Sequence, residues 1–159
     1  MKILIAYAGE TGTTEKCARL LGKKLGNTTT IDLKKENANV SDYDLIIIGS
    51  SIRMGVFHDK ARKFIKKNKD YLKIKDAAYF ICCCTKDYQK YFDTNIPKEL
   101  LNSAITYDSF GGEMDISKQR GLNKFIVKMI ASADKTEKIT SIIPENIDKF
   151  VEKIKEVIK

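Results

Sequence analysis

The sequence predicts an α/β fold, a doubly wound five-stranded parallel sheet with helices on both faces. Three observations predict it. Short apolar runs alternate along the chain with segments of helical period. The run Asp44–Gly49 (Asp-Leu-Ile-Ile-Ile-Gly) is apolar throughout its middle, as a strand covered on both faces must be. The first apolar run gives way at once to a small, hydroxyl-rich turn that opens a helix, which is how a phosphate-binding turn is built.

The elements follow in order. Residues 2–7 are the first strand, led by Ile3, Leu4, Ile5 and Ala6. Residues 14–26 are a helix, with Cys17, Leu20, Leu21 and Leu25 on one face and Lys16, Arg19, Lys23 and Lys24 on the other. A short second strand covers 28–33, and polar residues 34–41 form a loop. Asp44–Gly49 is the third strand. Asp59–Lys69 is a helix with Ala61, Phe64 and Ile65 inward. Ala77–Cys84 is the fourth strand, Asn95–Leu101 a short helix, and Ile105–Gly111 the fifth strand. Pro144–Lys159 is the last helix, opened by Pro144 and carrying the stripe Phe150, Val151, Ile154, Val157 and Ile158.

Composition sets the outer bounds. The 159 residues suit a single domain with its own core, and 43% hydrophobic residues with two prolines exclude a disordered chain. Met1-Lys2 runs straight into strand-like sequence, so no signal peptide is expected and the cytoplasm is the expected location. No apolar run approaches the ~18 residues that cross a bilayer. Four cysteines, three of them adjacent at 82–84, do not make a disulfide framework, and no metal-ligand spacing is present, so no metal is expected. The cysteine triplet also lacks an arginine six positions on, which excludes a tyrosine-phosphatase loop. Buried strand cysteines are the expectation, with Cys84 nearest the site. The net charge is +8, which suits anionic ligands, lipids or partners. The lysines are spread over many segments without an aromatic–basic motif, so no nucleic-acid partner is expected.

In a sheet of this kind ligands lie beyond the carboxyl ends of the strands, at the point where the strand order reverses. That rule selects the loops at 8–14, 50–58 and 85–92. The first contains Gly9, Glu10, Thr11, Gly12, Thr13 and Thr14. It lacks the G-x-x-x-x-G-K-[ST] pattern of nucleoside-triphosphate loops and the G-x-G-x-x-G dinucleotide pattern. What remains is a T-G-x-T turn at a helix start. Its amide N–H groups, hydroxyls and helix dipole suit a phosphate monoester.

This turn resembles that of the flavodoxin family, S/T-x-T-G-x-T, with Thr11, Gly12 and Thr14 matching and Gly9 replacing the leading hydroxyl residue. The resemblance implies a flavodoxin-like fold and non-covalent FMN, its phosphate anchored by residues 9–14. The second loop, Gly49-Ser50-Ser51-Ile52-Arg53-Met54-Gly55-Val56-Phe57-His58, is similar to the G-A-S-I-R-Y-G-x-x-H loop of the flavodoxin-type protoporphyrinogen IX dehydrogenases. Gly49, Ser51, Ile52, Arg53, Gly55 and His58 match, and Met54 replaces an aromatic residue. The resemblance implies that Ser50, Ser51, Ile52, Arg53, Met54 and Gly55 line the flavin. Arg53 would orient an anionic group or stabilise the reduced flavin. His58, the only histidine, is either an active-site residue or a local helix-start residue. In the third loop Thr85, Lys86 and Tyr88 are the candidates. Because the chain has no tryptophan, Tyr88, with Tyr91 next, is either the flavin-facing aromatic or one of two tyrosines packed on a neighbouring helix.

The stretch 113–138 before the last helix reads as an insertion. Leu122, Phe125, Ile126, Met129 and Ile130 share a helical face, and residues 118–128 carry four basic residues and no acidic one. The protoporphyrinogen dehydrogenases have a similar basic amphipathic helix there. It either packs on the core or in a homodimer interface, or rests peripherally on the inner face of the cell membrane. The resemblance implies a redox enzyme that oxidises its substrate through FMN and passes electrons to a quinone or protein partner. The second reading is an electron-transfer flavodoxin without its own substrate.

Overall fold

The computed structural model describes residues 1–113 and 139–159. In chain order the elements are β1 (Ile3–Ala8), α1 (Thr13–Leu25), β2 (Thr28–Asp32), a 3₁₀ turn at Val40–Asp42, β3 (Leu45–Arg53), β4 (Val56–Phe57), α2 (Asp59–Lys67), α3 (Lys69–Ile74), β5 (Asp76–Cys82), α4 (Gln89–Asn95), α5 (Lys98–Ser103), β6 (Thr106–Ser109) and α6 (Pro144–Val157). The expected basic helix at 118–130 lies outside the described residues.

Five strands run parallel, as predicted, and their order is β2-β1-β3-β5-β6. The sixth strand, β4, was not predicted. It pairs antiparallel with the end of β3 and has two residues, too few for any period to show.

Alternation along the strands builds two cores. Leu4, Ile46, Ile48, Tyr79 and Ile81 face one side and pack under α2 to α5, against Ala61, Phe64, Ile65, Leu72, Phe92, Leu100 and Leu101. Ile5, Ile47, Ala78 and Phe80 face the other and pack under α1 and α6, against Cys17, Ala18, Leu21, Ile147, Phe150, Val151 and Ile154. Each buried Ile, Leu or Phe contributes ~1.5–3 kcal/mol, so these two layers hold the strand ends, and the loops on them, in fixed positions.

Boundaries differ from the sequence reading where single residues intervene. The helix from Asp59 stops at Lys67, because the Asn68 side chain donates to Phe64 O (2.9 Å) and a separate helix, α3, follows. The helix expected over 95–101 starts later, as α5 at Lys98, and a helix not expected from sequence, α4, precedes it. Pro97 cannot donate to a helical bond and forces Ile96 into an extended conformation, so α4 ends at Asn95 and α5 starts at Lys98. The fourth strand ends at Cys82 rather than Cys84. Val157, expected inward, is 45% exposed because it ends α6.

The hydroxyl of Tyr79 is buried and finds no hydrogen-bond partner among the described residues. Burial alone raises its pKa well above the ordinary phenol range. Removing an unsatisfied buried hydroxyl relieves its desolvation cost. Tyr79→Phe is therefore expected to leave chemical-denaturation stability unchanged or raise it by up to about 1 kcal/mol. A loss larger than that would reveal a partner for the hydroxyl.

Candidate functional site

Register places the three loops side by side. Ala8 is opposite Ser50 and Ser51 is opposite Cys82, so β1, β3 and β5 release their chains at the same sheet edge. The chain steps from β1 outward to β2 and then back to β3, which makes this edge the switch point.

The first loop is shaped for an anion. Gly12 closes it at φ +89°, a left-handed value that glycine adopts without strain, and is the N-cap of α1. No side chain caps the helix. The first N–H groups of α1 thus have no side-chain cap, and the space on the Cβ side of Gly12 is open, with nothing within 4 Å of where a Cβ would stand. Thr13 and Thr14 are buried in the turn, and the half-buried Thr11 hydroxyl has no partner among the described residues. Gly9 is explained by contact. A Cβ there would sit 2.6 Å from Thr14 Oγ1 and 2.8 Å from Thr14 Cβ, so the usual leading hydroxyl residue does not fit this turn. The uncapped helix start, the open space and the hydroxyls together fit a phosphate monoester.

The second loop is a tight hairpin. Ile52 pairs with Phe57 and Arg53 with Val56, leaving Met54-Gly55 as a two-residue turn. Both turn residues have positive φ, +52° and +78°, as a type I′ turn requires. Met54 stands 71% exposed at the tip, with Arg53 exposed beside it. One side chain from another element fixes the hairpin. Asn95, the last residue of α4, donates from Nδ2 to Gly55 O (2.9 Å) and to Tyr91 O (2.8 Å), and its Oδ1 accepts from Phe57 N (2.9 Å). Ser50 is fully buried. Its hydroxyl accepts from His58 N and donates to Ser51 O, both at 2.9 Å, so it is committed within the loop. Ser51 and Ile52 are half-buried.

His58 joins the first two loops and also caps a helix. Its Nδ1 accepts from Lys60 N (3.2 Å) at the start of α2, which leaves the proton on Nε2 to be donated to Glu10 Oε1 (2.5 Å). This hydrogen bond holds the Glu10 carboxyl below the usual carboxylate range, helped by the nearby charges of Lys34 and Arg53 and opposed by partial burial. A lowered folded value means that the clasp's stabilisation is fully present above the ordinary glutamate pKa of about 4.3 and is lost as pH falls through the lowered value. Glu10→Gln is therefore expected to remove a transition from the acid limb of thermal stability while leaving the neutral-pH melting temperature within a few degrees. An unchanged acid limb would contradict the clasp.

In the third loop the candidate aromatic is engaged by β6 and α4. The Tyr88 hydroxyl donates to Asp108 Oδ1 on β6 (2.7 Å), and its ring meets Phe92 edge-on at 6.3 Å. Burial and then the Asp108 bond raise its pKa well above the ordinary phenol range. Tyr91 is the aromatic beside the second loop, with its ring 3.7 Å from where a Gly55 Cβ would stand and Lys90 above it at 5.4 Å. Thr85 is half-buried and accepts from Asp87 N (3.3 Å), while Lys86 is exposed. Burial pushes the Cys84 thiol up to about 11, which leaves little thiolate at neutral pH.

Asn95, Asp108, Glu113 and Lys16 belong to the site's framework and were not singled out by sequence. Glu113 accepts from Thr13 Oγ1 (3.3 Å) and pairs with Lys16 Nζ (2.9 Å), bringing a carboxylate to the start of α1. Among the described residues no group of three or more His, Cys, Asp or Glu side chains could hold a metal ion.

Comparison with known proteins agrees with this geometry. Residues 4–141 match the Flavodoxin domain. Protoporphyrinogen IX dehydrogenase [quinone] of Escherichia coli (strain K12) is 27% identical over 145 residues, which cover 82% of this chain and 78% of that protein. An FMN complex of a flavoprotein from Lactobacillus acidophilus NCFM shares the fold at TM-score 0.56 and 16% identity, covering 68% of this chain and 92% of its own. An oxidoreductase from Corynebacterium diphtheriae does so at TM-score 0.58 and 10% identity, covering 98% of this chain and 97% of its own.

Proposed function

The chain belongs to the flavodoxin domain family, and from that premise we propose that it is an FMN flavoprotein acting as a redox enzyme similar to protoporphyrinogen IX dehydrogenase. The observation that carries the proposal is the meeting, at one sheet edge, of an uncapped helix start and a rigid hairpin that presents Arg53 and Met54. The N–H groups of Thr13 and Thr14 and the hydroxyls of Thr11 and Thr14 hold the phosphate. Ser51, Ile52, Arg53, Met54 and Gly55 present backbone polar groups and apolar contact to the flavin ring. When bound, FMN supplies the two-electron chemistry, and the chain supplies position and charge.

Arg53 has two tasks in this reading. It orients an anionic group of the substrate, and its positive charge favours the more negative, reduced form of the cofactor. Removing a cation worth about 1.4 kcal/mol changes a two-electron potential by ~30 mV. Arg53→Gln is therefore expected to make the potential of the loaded protein more negative by roughly that amount. A shift of the opposite sign would remove Arg53 from the flavin's surroundings.

The acceptor is a quinone or a redox protein. Basic charge is concentrated over 59–76, where eight basic residues meet three acidic ones, and this favours anionic substrates and partners near α2. Among the described residues no helix is long and apolar enough to cross a membrane. Peripheral membrane contact or self-association through 118–130 completes the proposal. The test is oxidation of protoporphyrinogen IX by the FMN-loaded protein with a quinone. Turnover supports the enzyme. Absence of turnover together with rapid reduction by a flavodoxin reductase would establish the electron carrier instead.

A further inference from the structure

One carboxylate meets two donors from the opening of α1. Glu113 Oε2 accepts from Thr13 Oγ1 at 3.3 Å, and Lys16 Nζ reaches both Glu113 oxygens, at 2.9 and 3.1 Å. Thr13 is the first residue of α1, and Lys16 donates its backbone N–H to Gly12 O (3.0 Å), the first bond of the helix. An anion is stabilised at this end of a helix by the exposed N–H groups and the dipole. Glu113 follows β6 and has no sequence neighbour in the turn. Its carboxylate therefore stands beside the position at which the cofactor's phosphate would arrive. The Lys16 and Glu113 side chains are 56% and 32% exposed, so the pair contributes little to folding stability. Two anions at one helix start repel, and one ammonium cannot fully serve both.

We propose that Lys16 is a phosphate-selective binding residue held in reserve by Glu113, whose carboxylate competes with the FMN phosphate for Lys16 and for the Thr13 hydroxyl. The proposal rests on the FMN reading and extends it: a turn of neutral donors gains a charged contact only when the phosphate displaces Glu113. It explains why a lysine at the first helical turn, in a phosphate-binding loop, is engaged by a carboxylate from a segment about 100 residues away.

The test compares FMN with riboflavin, which differs only by the phosphate. Affinities of wild type, Glu113→Gln, Lys16→Met and the double variant are measured by flavin fluorescence quenching, with thermal melts of the apoproteins as a check on folding. A charge-assisted hydrogen bond is worth roughly a tenfold change in affinity. Glu113→Gln is expected to bind FMN about tenfold more tightly, and Lys16→Met about tenfold more weakly, with riboflavin affinity within about twofold of wild type in both. Lys16→Met should cost more in the Glu113→Gln background than in wild type, because there the ammonium is given wholly to the phosphate. If Glu113 is only a brace, Glu113→Gln weakens FMN and riboflavin alike, and the proposal is overturned. It is overturned too if the ratio of the two affinities is the same in all four proteins. Wild-type protein that takes up neither flavin would instead bring down the FMN reading, and this inference with it.

Discussion

Gly49→Ala is expected to destabilise the protein by about 3 kcal/mol, at the upper end of the cost of overpacking a core. The added Cβ would lie 2.0 Å from Phe80 Cζ and 2.4 and 2.6 Å from its Cε atoms. Gly49 and Phe80 are paired across β3 and β5, so the ring lies directly over the glycine. Phe80 cannot swing away. It is fully buried and stacked on Phe110 at 4.7 Å, and Phe110 in turn meets Phe150 edge-on at 5.2 Å. For a chain of this size about 3 kcal/mol lowers the melting temperature by roughly 10 °C. Shrinking the ring should recover much of the loss, so Gly49→Ala with Phe80→Leu is expected to melt above Gly49→Ala alone, a coupling that only contacting residues show. An unchanged melting temperature for Gly49→Ala would contradict the packing described.

The second large effect concerns the flavin rather than the fold. Asn95→Leu removes the donor to Gly55 O and the acceptor for Phe57 N, leaving the turn and the second strand of the hairpin without this side-chain partner. Each lost bond with a part-buried backbone group costs ~1–3 kcal/mol. Two positive-φ residues at the tip already disfavour the turn when its support is lost, Met54 more than Gly55. FMN affinity is therefore expected to fall at least about tenfold, because the ring-facing backbone no longer stands in one arrangement. Asn95→Asp keeps the acceptor for Phe57 N and loses both donors, so its affinity should fall between leucine and wild type. Titration by flavin fluorescence measures this directly, and Asn95→Leu binding FMN within about twofold of wild type would show that the hairpin needs no brace.

These two residues also show what the sequence conveys and what it hides. The first loop was legible because its chemistry is contiguous: residues 9–14 place glycines and hydroxyls within one turn of a strand end and a helix start. The parallel sheet followed from apolar runs such as Asp44–Gly49. The motif around Gly49 was visible, but its reason was not. A glycine in a ligand loop reads as room for the ligand, whereas here the Cβ position is filled by a ring from the next strand. Asn95 gave no signal, since one amide at a helix end resembles any other. Its bonds to Gly55 and Phe57 span 40 and 38 residues. The Glu10–His58 clasp spans 48 residues and the Thr13–Glu113 contact 100, distances over which no local pattern operates. Residues 89–92 read as loop because the seven-residue helix Gln89–Asn95 holds barely two turns of period.

In the proposed reading the turn after β1 and the hairpin after β3 hold FMN between them. A crystal structure of the protein grown with FMN tests it most directly. The cofactor's phosphate is expected within hydrogen-bond distance of the Thr13 and Thr14 N–H groups, with the ring against residues 51–55. Density for FMN elsewhere on the molecule, or a turn at 9–14 that stays free of phosphate at saturating FMN, would contradict it.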